Sequence, residues 1–463
     1  MKKLLFTAVV AMAATCSFGA GFGIYEASAR GNAMGGALIG DTGDATANYY
    51  NPANLAFATN IQVAAGVTFI NPYCDVDVDH KSQARMNPGW FTVPTFYLAV
   101  PLPWDFVFGF GSYTEYGLGT KYGARWDLAA DTVKTTMRQV TLNPNLAYKA
   151  TDRWSVAAGL RASWIQFQNR KKPYYGQTRF QDYSGVVANH DQLGPITGSG
   201  TLSATDAYNL SSKLKGDDWG VGYNLGTTYK ATDDLSFGLI YRSQVRHKIK
   251  GRFNLDGDVS GVMAGNLALT ALNGTYPVGT QKVSQPFSEK QHAHTRASAK
   301  LRLPRSLTGG VNYNITERWR SGLSVTWTQW SSVDKINFKI ADGYGYQQKL
   351  NWNDAWRFGL GTEYDLLDWL SIRGGYAYDM DPTSKHNATT MLPSGDRHII
   401  GTGLGFRITE NLSFDIGYNF IRMNNDDRVI TLKNPQTGEK RRCKFSTRNG
   451  FSHLASATLR YSF

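Results

Sequence analysis

Few side chains in this sequence stand at spacings that do chemistry. The eight histidines are scattered. Only His292 and His294 lie close together, and one pair falls short of a metal site. His80, His190, His292 and His386 fall in long connecting segments, where a hydrolase would need a nucleophile or an acid pair beside them. No triad stands out. Asp75, Asp77 and Asp79 alternate along one segment; a bound calcium ion is one reading and solvated loop acids the other. Gly401-Thr-Gly-Leu-Gly405 superficially resembles a nucleotide loop, but no helix follows it, so it reads as a glycine-rich strand. Three Cys exclude a disulfide-dense scaffold or a cysteine-rich zinc module. Cations are plentiful, with 49 Lys and Arg against 36 Asp and Glu and a net charge of +13. They are dispersed, and only Arg170-Lys171-Lys172 and Lys440-Arg441-Arg442 form runs beyond the N-terminus, so a nucleic-acid partner is not expected. Nothing calls for a cofactor or a metal.

The elements that position these residues are strands. Four segments are near copies: Lys149-Ala-Thr-Asp-Arg-Trp-Ser155, Lys230-Ala-Thr-Asp-Asp-Leu-Ser236, Asn314-Ile-Thr-Glu-Arg-Trp-Arg320 and Arg407-Ile-Thr-Glu-Asn-Leu-Ser413. Each is a polar turn between two runs of alternating polarity, the signature of a tight strand-to-strand turn. After the first, Trp154, Val156, Ala158, Leu160, Ala162 and Trp164 share one face. Ser155, Ala157, Gly159, Arg161 and Ser163 share the other, until Ile165 breaks the pattern. After the second turn, Ile240 is a similar exception. A period of two means strands with one apolar face.

A soluble sandwich would alternate as well. Strands of ten or more residues, short and long connections in alternation, and aromatic residues at the ends of the apolar faces favour a transmembrane barrel. No apolar run reaches the ~20 residues that a membrane helix needs. The expected fold is all-β, a 14-stranded antiparallel transmembrane β-barrel over 61–463. Single unbroken strands are expected at 105–114, 235–251 and 293–313. An even number puts both chain ends on one side, the periplasmic side. Residues 1–19 read as a signal peptide, with a basic start, an apolar stretch and small residues at Ser17 and Gly19. The mature protein is then exported to a bacterial outer membrane. The last strand closes on Phe463 and resembles the signal read by the barrel assembly machinery.

Residues 20–60 do not alternate. Of these 41, 17 are Gly or Ala, one is Arg and none is Lys. Such a segment can pack in a confined space, and a barrel this wide leaks if left empty. It is expected to be a hatch inside the lumen. Here the sequence resembles the FadL family of long-chain fatty acid and hydrocarbon channels. The motif Asn51-Pro52-Ala53-Asn-Leu55 follows Gly31-Asn-Ala-Met-Gly35 and Asp41-Thr-Gly-Asp-Ala45. The likeness continues through Tyr116-Gly-Leu-Gly-Thr-Lys-Tyr122, Leu142-Asn-Pro-Asn-Leu-Ala-Tyr148, Leu303-Pro-Arg-Ser306, Trp352-Asn-Asp-Ala-Trp-Arg357 and Leu392-Pro-Ser-Gly-Asp-Arg397. The resemblance implies passive transport of a hydrophobic small molecule: outer loops capture it, a lumen pocket holds it, the hatch gates it, and it leaves sideways into the membrane. The alternative is an outer-membrane barrel enzyme of the lipase or esterase type.

The resemblance implies that Phe22 fills or borders the pocket. It also implies a wall defect in the third strand, expected at Phe108-Gly-Phe-Gly-Ser112 with Gly109 and Gly111 as the lateral exit. Inward cations are expected at Arg161, Arg242, Arg246, Arg296, Lys300, Arg302, Arg320, Arg357, Arg373 and Arg460, with Glu363, Asp379 and Asp415 as partners. They either hold the hatch in an ion-paired lumen or, at Arg161 and Lys335, pair with a substrate carboxylate. The basic balance also suits outer-membrane lipid and lipopolysaccharide phosphates. A monomer is expected, since a closed barrel needs no partner. Cys74 and Cys443 flank the seam between first and last strands, and a disulfide there is a candidate staple against two free thiols.

Overall fold

A computed structural model describes residues 21–463, apart from 42–43, 87–88, 125, 173–177, 191–193, 206, 272–275, 341–344 and 434–439. The expected signal peptide, residues 1–19, lies outside the described residues.

Fourteen antiparallel strands close into a barrel. They are β1 (Gln62–Val78), β2 (Phe91–Pro101), β3 (Phe106–Tyr113, resuming at Leu118–Lys121), β4 (Lys134–Lys149) and β5 (Trp154–Lys171). Next come β6 (Ala207–Lys230), β7 (Leu235–Arg242 and Val245–Ala271), β8 (Tyr276–Leu303 and Ser306–Thr316) and β9 (Trp319–Thr328 and Lys335–Ile340). The circuit ends with β10 (Ala355–Leu367), β11 (Leu370–Asp379), β12 (Arg397–Arg407), β13 (Leu412–Met423) and β14 (Lys440–Ser462). The seam pairs β1 with β14 from Gln62 opposite Ser462 to Val78 opposite Phe445. Closure leaves no strand edge facing lipid, the condition for crossing a bilayer with strands.

The alternation sets the faces. On β5, Trp154 and Leu160 are exposed while Ser155, Ala157, Arg161 and Ser163 are buried in the lumen. On β10, Trp356, Phe358, Leu360 and Tyr364 face out and Arg357, Gly359, Gly361 and Glu363 face in. Thr side chains shape the turns: Thr151, Thr232, Thr316 and Thr409 each accept a backbone N–H three residues on, at 3.0–3.1 Å. These are the four repeated motifs.

The strands differ in length. A crossing needs ~9–11 residues, and β11 has 10. The outer segments of β7 and β8 run for 27 and 28 residues, so this hairpin stands far above the membrane. β7 and β8 are also broken, where single strands were expected at 235–251 and 293–313; the strand expected at 105–114 is unbroken over Phe106–Tyr113, and β3 breaks only beyond it. β7 is interrupted at Ser243-Gln244 and β8 at Pro304-Arg305. Proline has no N–H for the ladder, which accounts for the break in β8.

The N-terminal segment forms no barrel strand. It holds two short helices, α1 (Ala29–Ala33) and α2 (Ala47–Tyr50), and a 3-10 turn, Pro52–Phe57. Ser28 caps α1, its hydroxyl accepting from Gly31 N at 3.1 Å. The segment packs on inward-facing wall residues. Wall glycines make the close approach possible: a Cβ on Gly322 would lie 2.1 Å from Ala37 O, and one on Gly361 2.3 Å from Met34 O.

Candidate ligand chamber and its gate

The lumen has two storeys. In the lower one the N-terminal segment is tied to the wall by charge. Glu363 binds Arg30 at 2.9 Å and Arg320 at 2.8 Å, and also contacts Arg373. Arg30 further pairs with Asp41 at 2.6 Å, and Arg373 with Asp415 at 2.7 Å. Arg460 joins Asp415 at 2.7 Å to Asp44 at 2.9 Å. Asn51 is fully buried, and its Nδ2 donates to Thr227 O at 3.0 Å, Thr228 Oγ1 at 2.9 Å and Ile39 O at 3.1 Å. Its Oδ1 accepts from Ala53 N at 3.2 Å, capping the turn that Pro52 opens, and Ser155 Oγ donates to Ala53 O at 2.8 Å.

In the upper storey the inward residues turn apolar. Ile165 and Phe167 on β5, Ile249 on β7 and Ala299 and Leu301 on β8 join Met137, Phe338, Leu350, Trp352 and Leu392 in one buried cluster. Phe22 sits at its centre. Its ring lies 4.9 Å from Trp330, edge to face, 5.5 Å from Trp352 and 5.8 Å from Tyr116. Gly21, at φ +60°, lets the chain run against the Trp330 ring, where a Cβ would come within 2.8 Å. The remaining cavity is about 40 Å³. Trp330 Nε1 is buried and has no hydrogen-bond partner among the described residues.

The tip of the N-terminal segment is hydrogen-bonded to a gap in the wall. Between Tyr113 and Leu118, β3 leaves the sheet. Gly117 N donates to Phe22 O at 2.9 Å and Ile24 N to Glu115 O at 2.8 Å. The displaced backbone is satisfied from within, as burial requires: Gln139 Oε1 accepts from Glu115 N at 2.9 Å, and its main-chain oxygen from Thr114 Oγ1 at 2.9 Å. Pairing of β2 with β3 ends at Phe96 opposite Ser112. Beyond it, Phe91–Thr95 pair with β1 alone among the described residues.

These positions correct several expectations. Phe108–Ser112 is regular strand, paired on both sides; the break lies at Thr114–Gly117. Gly109 and Gly111 face the N-terminal segment, and a Cβ on Gly109 would lie 2.4 Å from Asn48 Oδ1. Their small size makes room for packing rather than a defect. Arg161 is buried as expected, but its guanidinium is held by Glu115 Oε2 at 2.5 Å and Ser243 O at 2.9 Å. Lys335 is exposed, opposite Lys349, and outside the chamber. Arg246, Arg296, Lys300 and Arg302 are exposed on the outer face. In this upper storey the outside meets water and the inside is apolar, so the charged side of each strand is the outer one. Cys74 and Cys443 are buried free thiols. The seam sets Tyr73 opposite Phe451 and Asp75 opposite Arg448, while Cys443 pairs with Ile430. The offset along β14 is on the order of 20 Å, against the ~7 Å Cα separation that a disulfide tolerates.

A closed barrel filled at its base by the N-terminal segment and apolar above has the architecture of a plugged membrane channel. The chain belongs to the outer membrane protein transport family OMPP1/FadL/TodX, whose model matches residues 10–463. It is 26% identical over 447 residues to the long-chain fatty acid transport protein of Escherichia coli O6:H1, covering 91% of this chain and 92% of that one. A Pseudomonas aeruginosa FadL homologue superposes with a TM-score of 0.71 at 20% identity, over 96% of this chain and 100% of that one. The toluene transporter TodX of P. putida superposes at 0.64 with 18% identity, over 94% and 98%. The family consists of transport channels, and the hydrolase alternative falls.

Proposed function

We propose that this protein is a passive conduit for long hydrophobic molecules, fatty acids or hydrocarbons, across the outer membrane. The molecule is captured at the apolar outer mouth and enters the chamber around Phe22. The N-terminal segment acts as a hatch whose tip, residues 21–26, gates the chamber. Displacing Phe22 loosens the bonds of the tip, Ile24 N to Glu115 O and Gly117 N to Phe22 O, and the cargo leaves through the gap between β2 and the Thr114–Gly117 break. No energy input is needed, because each methylene moved from water to lipid gains ~0.8 kcal/mol. The closed seam supports a monomer, inserted by the barrel assembly machinery.

The observation that carries this reading is the coupling of pocket and gap. Phe22 fills the chamber, and the same residue's carbonyl holds the β3 break. The test is a reversible lock. Gly23 and Tyr116 are bridge partners across that contact, so Gly23→Cys with Tyr116→Cys places two thiols within disulfide reach. Oxidised cells should lose uptake of labelled long-chain fatty acid, and reductant should restore it. Uptake unchanged by oxidation, with the bridge verified by mass, would sink the gate.

A further inference from the structure

The outer face of β7–β9 combines features that transport does not use. Arg246 stands opposite Arg302 and Lys248 opposite Lys300 in the β7–β8 ladder. All four are exposed, and none forms an ion pair among the described residues. Like charges directly opposite on one sheet face repel and destabilise the pairing, so an anion in contact would relieve them. Below them, Arg305 is exposed beside Leu307 and lies 5.9 Å from the Trp327 ring. Beneath Arg305 the wall carries an apolar groove of about 540 Å³, lined by Leu239, Leu307, Gly309, Val325, Trp327 and Trp356. Gly309 keeps it open: a Cβ there would meet only Leu239 Cδ1, at 3.7 Å. A second recess, about 510 Å³, sits between Tyr223, Tyr241, Arg246 and Arg305, where β7 and β8 are interrupted.

Cations above, an aromatic recess at the interface and an apolar trough below match one kind of molecule, a phosphorylated lipid standing in the leaflet. The chain ends and short turns lie at the opposite rim, so this leaflet is the outer one. We propose that this wall is a docking site for lipid A, the phosphorylated anchor of lipopolysaccharide. Its phosphates rest on Arg246, Lys300, Arg302 and Arg305, and one acyl chain lies in the trough at Gly309. The four cations supply charge-assisted contacts at the membrane surface, and the trough supplies area. The bound lipid offsets the repulsion in the ladder and steadies the long hairpin above it. None of these residues touches the chamber, so the site is independent of the gate.

The experiment uses the mature protein, purified in detergent and stripped of lipid, with bound lipid read by native mass spectrometry. The probes are bisphosphorylated lipid A, its dephosphorylated form and phosphatidylglycerol. The wild type should retain bisphosphorylated lipid A well above the other two. Arg246→Gln with Lys300→Gln, Arg302→Gln and Arg305→Gln should weaken that retention about tenfold or more. Gly309→Leu, which fills the trough and leaves every charge in place, should weaken it separately. Arg318→Gln, at the periplasmic turns, should leave it unchanged. Fold is checked by heat-modifiable migration on gels; should the fourfold variant fail to assemble, Gly309→Leu decides. Equal retention of phosphatidylglycerol, or Gly309→Leu matching wild type, overturns the proposal.

Discussion

The two storeys of this barrel are built from the same strands with opposite polarity. Low on β6, Tyr229, Leu225, Tyr223, Val221 and Trp219 face out; a few residues higher the same face carries Lys215 and Lys213. On the inner face of β5 the order reverses, from Ser155, Arg161 and Ser163 below to Ile165 and Phe167 above. The outer inversion follows the surroundings, since lipid gives way to water at the upper aromatic ring. The inner inversion follows what is enclosed. The lower lumen holds a folded backbone, whose N–H and C=O groups and few charges all need partners. The upper lumen holds the apolar end of that segment, packed against apolar residues of the wall and the connecting segments. Strand periodicity therefore tells which residues share a face, and the environment at each height decides which way that face points.

The comparison breaks most sharply at Glu363. This carboxylate contacts Arg30, Arg320 and Arg373, so Glu363→Ala leaves two buried cations, Arg30 and Arg373, and the half-buried Arg320 short of a partner. Removing one member of a buried ionic network costs about 3–5 kcal/mol. The expected result is a barrel that still assembles through its ladder but holds the N-terminal segment loosely. Planar-bilayer conductance should rise from near closed to open-channel bursts, with no matching change in the far-ultraviolet β signal. Silent bilayers would show that the wall glycines and Asn51 hold the segment without the ion network.

A change of similar energy but more local effect is expected above. Phe22→Ala removes a ring packed by Trp330, Trp352 and Tyr116, and a buried Phe→Ala change costs about 3–5 kcal/mol. That loss falls on the seating of the tip and not on the barrel. The variant should keep wild-type thermal stability, stay closed to ions and bind a long-chain fatty acid more tightly, because the tail enters a chamber already vacated. Fluorescent fatty acid titration reads this directly. Weaker binding would mean that Phe22 is part of the ligand surface and not its stopper.

Much of this was legible in the sequence, and the losses have physical causes. Strand number, the faces of the lower storey and the lumenal places of Arg161, Arg320, Arg357, Arg373 and Arg460 follow from a period of two, which local sequence records. Ile165 and Ile240 look like errors in that pattern. Both are buried in the lumen, and Ile165 marks the point where it turns apolar; reading it as a signal would have located the chamber. The outward turn of Arg246, Arg296, Lys300 and Arg302 needs the membrane boundary, which periodicity does not carry. Glu115, Trp330 and Trp352 were missed as functional residues because they lie where β3 and β9 break or where strands connect, outside any alternating run. Pro304 was the one visible sign of a break. The seam register joins residues nearly 400 positions apart, and nothing local encodes its stagger, which is what separates Cys74 from Cys443.

The finest test of the two-storey division concerns charge and cargo. Arg161 lies at the boundary, fully buried, with its guanidinium held by Glu115 and Ser243 O. Glu115 in turn belongs to the β3 break that carries the tip. Arg161→Gln therefore acts on the gate and not on a cargo carboxylate: it leaves Glu115 buried with one partner fewer, a cost of about 1–3 kcal/mol. Uptake of a fatty acid and of an alkane of equal length should fall together, their ratio unchanged. Lys335 lies outside the chamber, exposed beside Asp334 at 3.9 Å, a kind of pair worth ~0–1 kcal/mol. Lys335→Gln should change neither uptake rate. The paired rates for each variant, measured in cells whose only such channel is this one, decide the matter. A selective loss of fatty acid uptake in Arg161→Gln would mean that this arginine leaves Glu115 for the cargo during passage, and the boundary between the storeys would then be a recognition site.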